Sequence, residues 1–248
     1  AYTIAKLGKK YDFEPIVIVN IFNQSNGKLI RALNNENLSN YKKVVVTYTQ
    51  ELKPKYLGLG LEINLLYEKD PTSFEKFAQL FKDSYLAIKS VSKETKVFTT
   101  FQLERTKGLH GGLFGGVNSN GNNQWSLLDK FPNSDLIGLT TYPSLIYKSP
   151  INLSNNYYTD ILTKTNKKLA FVETGWPANS KVDGWETDEA EQALFVDKFF
   201  ELTKSTNKEI EIWPFIYDPS VAEPFSTLGL VNNDGSERPA YKKWFDGS

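Results

Sequence analysis

Short apolar runs rich in β-branched and aromatic residues recur along the chain, and between them apolar positions return at spacings of three and four. A short continuous apolar run reads as a strand buried on both faces, and the wider spacing as the inward stripe of a helix. The runs predict six strands, at residues 15–20, 56–62, 96–102, 136–142, 168–173 and 211–217. After the second, Asp70 supplies a helix cap and Pro71 the first helical position, and Phe74, Phe77, Ala78, Phe81, Tyr85 and Ile88 share one stripe. A second helix is predicted over 188–206, with Ala190, Ala193, Leu194, Val196, Phe199 and Phe200 mostly inward. Residues 38–52 have helical spacing too; Val44, Val45 and Val46 would support a strand, but the alternation of strand and helix favours a helix. Strand alternating with helix is the signature of βα units around a parallel sheet, an α/β fold. Gly and Asn crowd residues 108–123, which read as a long loop after the third strand.

With 248 residues and 40% hydrophobic content, the chain can bury one sizeable core, so a single domain over 1–248 is expected. Lys plus Arg equals Asp plus Glu at 29 each, which provides no net field for nucleic acid or an anionic membrane and fits a neutral substrate. Cysteine is absent, excluding disulfides, thiolate nucleophiles and Cys-ligated zinc. The compartment stays open on that ground, with an extracellular setting favoured. No apolar run approaches the roughly 20 residues that span a bilayer, and no signal sequence opens the chain. Methionine is also absent, including at position 1, so a processed or trimmed form of a longer product is expected. The one histidine, His110, has no second histidine at ligand spacing, so no metal is predicted, and no cofactor either. The sequence sets no oligomeric state.

Two of the predicted strands end in glutamate: Glu62 in YLGLGLEIN and Glu173 in KLAFVETGWP. An ionisable group at the carboxyl end of a barrel strand points into the mouth where active sites form. Either alone reads equally well as a carboxylate solvated at a strand end or paired with a lysine. Together they are what glycoside hydrolysis needs, one carboxyl to protonate the leaving oxygen and one to attack the anomeric carbon or activate water.

FVETGWP resembles the nucleophile segment on the seventh strand of clan A glycoside hydrolases, above all the β-1,3-glucanases and endo-β-1,4-galactanases, and GLGLEIN resembles the acid/base segment on their fourth. The two glutamates lie three predicted strands apart, as that pairing requires. TTYPS at 140–144 is similar to the sixth-strand segment, EIWPFIYD at 211–218 to the eighth, and GLVNNDGSERPAYKKW at 229–244 to the closing turn and final helix near Pro239. The resemblance implies a (β/α)8-type (TIM) barrel and a retaining glycosidase for a β-linked glycan, with Glu62 as acid/base and Glu173 as nucleophile. It further implies a hydrogen bond from Tyr142 to the nucleophile and Trp213 as an aromatic floor beneath the sugar.

Two positions depart from the pattern. Leu61 stands where the family carries an asparagine that binds the sugar 2-hydroxyl; if the chain were still extended there, Asn64 would share the face of Glu62 and partly compensate for that loss. If the second predicted strand is the family's fourth, the first two strands are not readable, and residues 1–14 are the tail of the helix after the second. A non-catalytic barrel that binds glycans is the alternative these departures raise. A phosphate-handling barrel would want a Gly-rich loop near the last strands and basic residues in the mouth, whereas Arg occurs only at Arg31, Arg105 and Arg238.

Sugars stack their CH faces on rings, so Trp176 and Trp213, at strand ends, are the expected platforms. Trp125, Trp185 and Tyr147 either extend the cleft or cover the barrel rim. His110 touches substrate or, as loops favour, packs in its own turn. Glu104 reaches the cleft or pairs with Arg105 or a lysine; Asp218 binds a sugar hydroxyl or opens the turn at Pro219.

Overall fold

The computed structural model describes residues 1–247. Its strands are β1 (Ile16–Val19), β2 (Tyr56–Leu59), β3 (Lys96–Gln102), β4 (Leu136–Thr141), β5 (Lys168–Thr174) and β6 (Lys208–Glu211). The helices are α1 (Tyr2–Tyr11), α2 (Asn35–Leu52), α3 (Ile63–Lys69), α4 (Pro71–Val91), α5 (Leu103–Thr106), α6 (Glu189–Thr203) and α7 (Pro239–Gly247). The six parallel strands follow one another in sequence order. Ile16 faces Tyr56 across β1 and β2, and Tyr56 faces Lys96 across β2 and β3. Strands flanked by helices on the way from one parallel neighbour to the next are the repeat of a (β/α)8-type barrel. β3 and β4 are buried almost throughout, which is why they read as continuous apolar runs rather than alternating ones.

The residues fall into two compact units, Ala1–Gln102 with Gln124–Gly138, and Leu103–Asn123 with Leu139 onward. In the first, Asp70 accepts from the Ser73 N–H at 2.9 Å and Pro71 opens α4, as the sequence predicts. Phe74, Phe77, Phe81 and Phe101 gather around the ring of Phe131 with centroids 5.2–6.1 Å away. Burying each ring contributes about 2 kcal/mol, more than the roughly 1 kcal/mol of an edge-on contact; burial therefore sets this core. Residues 38–52 are helical, inside α2, whose start is capped by Asn34 accepting from Asn37 N–H at 2.9 Å. Only Val45 of the valine triplet is fully buried, as one face of a helix allows.

In the second unit Asp188 caps α6 by accepting from Glu191 N–H at 2.8 Å. The inward face of α6 is Gln192, Ala193, Phe195, Val196, Phe199 and Leu202; Ala190 and Leu194, expected inside, are exposed, because the true stripe is centred on Phe195. Phe171, Phe199, Trp244 and Trp213 pack in succession, with centroids 5.3, 5.7 and 5.3 Å apart. Arg238, just ahead of α7, forms a two-bonded ion pair with Asp218, both bonds at 2.8 Å, and also donates to the Gly229 carbonyl.

The C-terminal ends of two strands differ from expectation by more than one residue. The strand expected at 211–217 lies instead at Lys208–Glu211: Pro214 has no N–H to continue the ladder, and the bonds to β5 reach as far as Ile212, which donates to Phe171 O at 2.9 Å and accepts from Thr174 N at 3.1 Å. The strand expected to reach Glu62 ends at Leu59, because Gly60 turns the chain with φ +77°.

Candidate active site

That turn determines how Glu62 is presented. A Cβ on Gly60 would stand 2.5 Å from Ile63 Cγ2 and 2.6 Å from Phe77 Cζ, and its φ suits glycine, so both backbone and space require Gly60. Glu62 then sits outside the strand as the residue capping α3, with φ +53° and ψ +47°. Asp12 and Lys53 also have positive φ, but each closes the C-terminus of a helix, where the left-handed conformation is ordinary. Glu62 adopts it at a helix start, at a cost of about 1–2 kcal/mol for a side chain of this kind. Its neighbours hold it there: Leu61 N–H donates to Asn20 Oδ1 at 3.1 Å and Glu62 N–H to Thr100 Oγ1 at 2.7 Å. Leu61 and Glu62 are both partly exposed.

In the second unit β5 delivers Glu173 one residue before its end, with its side chain partly exposed. The Tyr142 hydroxyl donates to Glu173 Oε2 at 2.8 Å, the hydrogen bond that the family resemblance implies. Burial raises the Glu173 carboxyl above the ordinary glutamate range, and the bond from Tyr142 pulls it back part of the way. Gly175, two residues on, keeps side-chain atoms out of this corner: a Cβ there would lie 3.5 Å from Tyr142 Cε1 and 3.7 Å from Trp213 Cζ2. Trp213 therefore borders the same corner, its indole N–H donating to Leu228 O at 2.7 Å and its ring 6% exposed. It offers an edge rather than the open floor expected of it, because Phe195 and Trp244 pack against the ring.

Several other expected site residues are buried in the fold or held by partners within the chain. Asn64 lies in α3, not on extended chain, so it does not share the face of Glu62; fully buried, it donates to Gln102 O and Gln124 Oε1 and accepts from Gln102 N–H, tying α3 to β3. Trp176 is 0% exposed, its ring against Phe195 at 5.5 Å, and a ring with no open face is not a sugar platform. His110 is half-buried, and its carbonyl accepts from Gly116 N–H within the Gly-rich loop. Trp185 donates to the Ser144 carbonyl and carries Lys148 over its ring, Tyr147 packs edge-on against Tyr157, and Trp125 is half-buried. Asp218 is taken by Arg238 rather than by a turn or a hydroxyl. Glu104 is neither a cleft carboxylate nor a surface ion pair but fully buried, accepting from Thr141, Tyr157 and the Tyr142 N–H. Its place directly after a buried strand was visible in the sequence; its three donors, all distant along the chain, were not. Among the described residues no cluster of His, Asp and Glu is arranged to hold a metal, and no helix is long and apolar enough to cross a membrane.

Among solved structures the chain is similar to a GH53 catalytic domain from Ignisphaera aggregans, at 16% identity and a TM-score of 0.67, over 98% of this chain and 76% of that one. It is similar to an exo-β-1,4-mannosidase from Opitutaceae bacterium strain TAV5, at 14% identity and a TM-score of 0.68, over 99% of this chain and 48% of that one. It is also similar to a GH128 endo-β-1,3-glucanase from Sorangium cellulosum, at 13% identity and a TM-score of 0.59, over 97% and 83% of the respective chains. Likeness at such low identity speaks for the barrel fold alone. Comparison with curated protein sequences gives no match. Residues 24–212, well over half of the chain, match the sequence profile of glycosyl hydrolase family 53. The chain therefore belongs to glycosyl hydrolase family 53 and is a glycosidase.

Proposed function

We propose that this glycosidase cleaves a β-linked polysaccharide with retention of configuration, with Glu173 as nucleophile and Glu62 as acid/base. The observation that carries this reading is the bond from Tyr142 to Glu173 Oε2 at 2.8 Å, on a strand-end glutamate within FVETGWP. A nucleophilic carboxylate must be ionised yet able to give up its charge to a sugar; burial works against the charge and the phenol supports it, leaving a carboxyl poised between the two. In the first step a Glu173 oxygen bonds to the anomeric carbon as the glycosidic bond breaks, and the Glu62 proton goes to the leaving oxygen. In the second, water attacks the same carbon, its proton passes to Glu62, and the Glu173 oxygen is released. The strained presentation of Glu62, clamped by Asn20 and Thr100, supports its role, since such strain concentrates at functional positions.

The resemblance to endo-β-1,4-galactanases makes β-1,4-galactan the first polymer to try, beside β-glucans, mannan and xylan. Reducing-sugar release is compared for wild type and Glu173→Gln, with the anomer of the first product read by proton NMR. The wild type should release sugar with retained configuration, and the variant should lose on the order of a thousandfold or more in kcat. An inverted first product would sink the double displacement, and wild-type rates from Glu173→Gln would sink the nucleophile.

A further inference from the structure

Tyr142 touches two carboxylates at once. Its hydroxyl donates to Glu173 Oε2 at 2.8 Å, and its backbone N–H donates to Glu104 Oε2 at 3.2 Å. It lies just past the end of β4 with φ −133° and ψ +77°, and Pro143 follows, so its backbone belongs to neither strand nor helix. Its ring is buried beside Leu145 and Leu228 and meets Phe225 edge-on at 5.0 Å. Its carbonyl accepts from the Leu145 N–H at 2.9 Å, and its N–H is held by Glu104.

Glu104 is an unusual choice for a packing residue. Its carboxyl is completely buried, and a buried carboxylate is tolerated only when its lone pairs are filled. Here they are: Oε1 accepts from Thr141 Oγ1 at 2.6 Å and from Tyr157 OH at 2.9 Å, and Oε2 from the Tyr142 N–H. The nearby lysine, Lys107, is itself held by Tyr157 O at 2.8 Å and by an ion pair with Asp160. The phenols of Tyr147, Tyr157 and Tyr158 also sense Glu104. An apolar side chain of similar size would fill the space, but it would leave the Tyr142 N–H without its acceptor and its phenol without a fixed origin.

We propose that Glu104 is a positioning residue for the glycosidase reaction, holding the Tyr142 backbone so that the phenol stays on Glu173. The proposal rests on Glu173 being the nucleophile. In this role Glu104 acts through Tyr142, so at Glu173 its removal and the removal of the phenol have the same consequence. The bond from Tyr142 lowers the Glu173 carboxyl, so losing it makes the carboxylate protonate at higher pH, and the acid limb of kcat moves upward.

The test is a set of pH profiles of kcat and KM for Glu104→Leu, Tyr142→Phe, the double variant and Glu104→Gln on the productive polymer. Glu104→Leu should lose roughly tenfold or more in kcat with little change in KM, and its acid limb should shift upward. Tyr142→Phe should do the same, and the double variant should be no worse than Tyr142→Phe alone. Glu104→Gln, which keeps an oxygen for the Tyr142 N–H, should recover part of the loss. An unmoved acid limb, or losses that add in the double variant, overturns the proposal. If Glu104→Leu does not fold, Glu104→Asp keeps the charge but withdraws the carboxyl from Tyr142, and is judged by the same shift. Glu173→Gln separates the two readings: if it stays active, the nucleophile assignment fails and takes this with it; if it is dead while Glu104→Leu is normal, only the positioning role fails.

Discussion

Two glutamates in the second unit, Glu104 and Glu173, are both held above the ordinary carboxyl range by burial, partly offset by hydrogen bonds. In the unfolded chain such carboxyls lose their protons near pH 4.3 or so, whereas the folded protein holds them longer. Folding therefore binds protons across that interval, and stability contributed by these groups is present below it and lost as pH rises through the raised values. Relative to wild type, Glu173→Gln should raise the melting temperature more at pH 7 than at pH 4, measured by calorimetry. A gain that is equal at both, or larger at pH 4, would mean that the carboxylate is not paying a burial penalty. The bond between Tyr142 and Glu173 was legible in the sequence because each sits at the end of an apolar run inside a recognisable segment. The sequence misjudged Asn64, Trp176 and Glu104, since burial depends on which distant residues close over a side chain. The same aromatic composition that suggests a sugar cleft also builds a core, and Trp176 shows the second use.

Elements were legible wherever a repeating stripe and a cap agreed, as in α4 after Asp70 and Pro71, and in α6 after Asp188. Their ends were less legible, even where proline or glycine marks them. The two strand ends that differ most from expectation precede such residues, Gly60 after β2 and Pro214 after β6. The signal was present, but an apolar run continuing past it outweighed a single residue. Gly60 is the more consequential, since it re-aims the next two residues and so places Glu62. Gly60→Ala forces a methyl into Ile63 and Phe77 in a backbone conformation that suits glycine. It should destabilise the protein by about 2 kcal/mol or more and reduce kcat in the fraction that remains folded. Denaturant unfolding together with rates normalised to folded protein checks both. Full activity per folded molecule would show that Glu62 does not depend on this turn.

For the molecule as a whole, equal numbers of acidic and basic side chains, 29 of each, leave little long-range field to guide a substrate. On a neutral glycan kcat/KM should change by less than about twofold between roughly 20 and 500 mM salt; a steep fall would point to an anionic polymer instead, and a salt series decides. The same balance concentrates electrostatic stabilisation in local pairs, among them the enclosed pair of Arg238 with Asp218, the arginine being 5% exposed. That clasp joins positions 20 residues apart in a chain with no cysteine, so it does the work of a crosslink without any redox chemistry. A crosslink made of guanidinium and carboxylate has a solvent counterpart: dissolved guanidinium presents the same fork to Asp218 that Arg238 does. The closing segment of this protein should therefore loosen earlier in guanidinium chloride than its urea resistance would suggest, as though the denaturant carried a key cut for that lock.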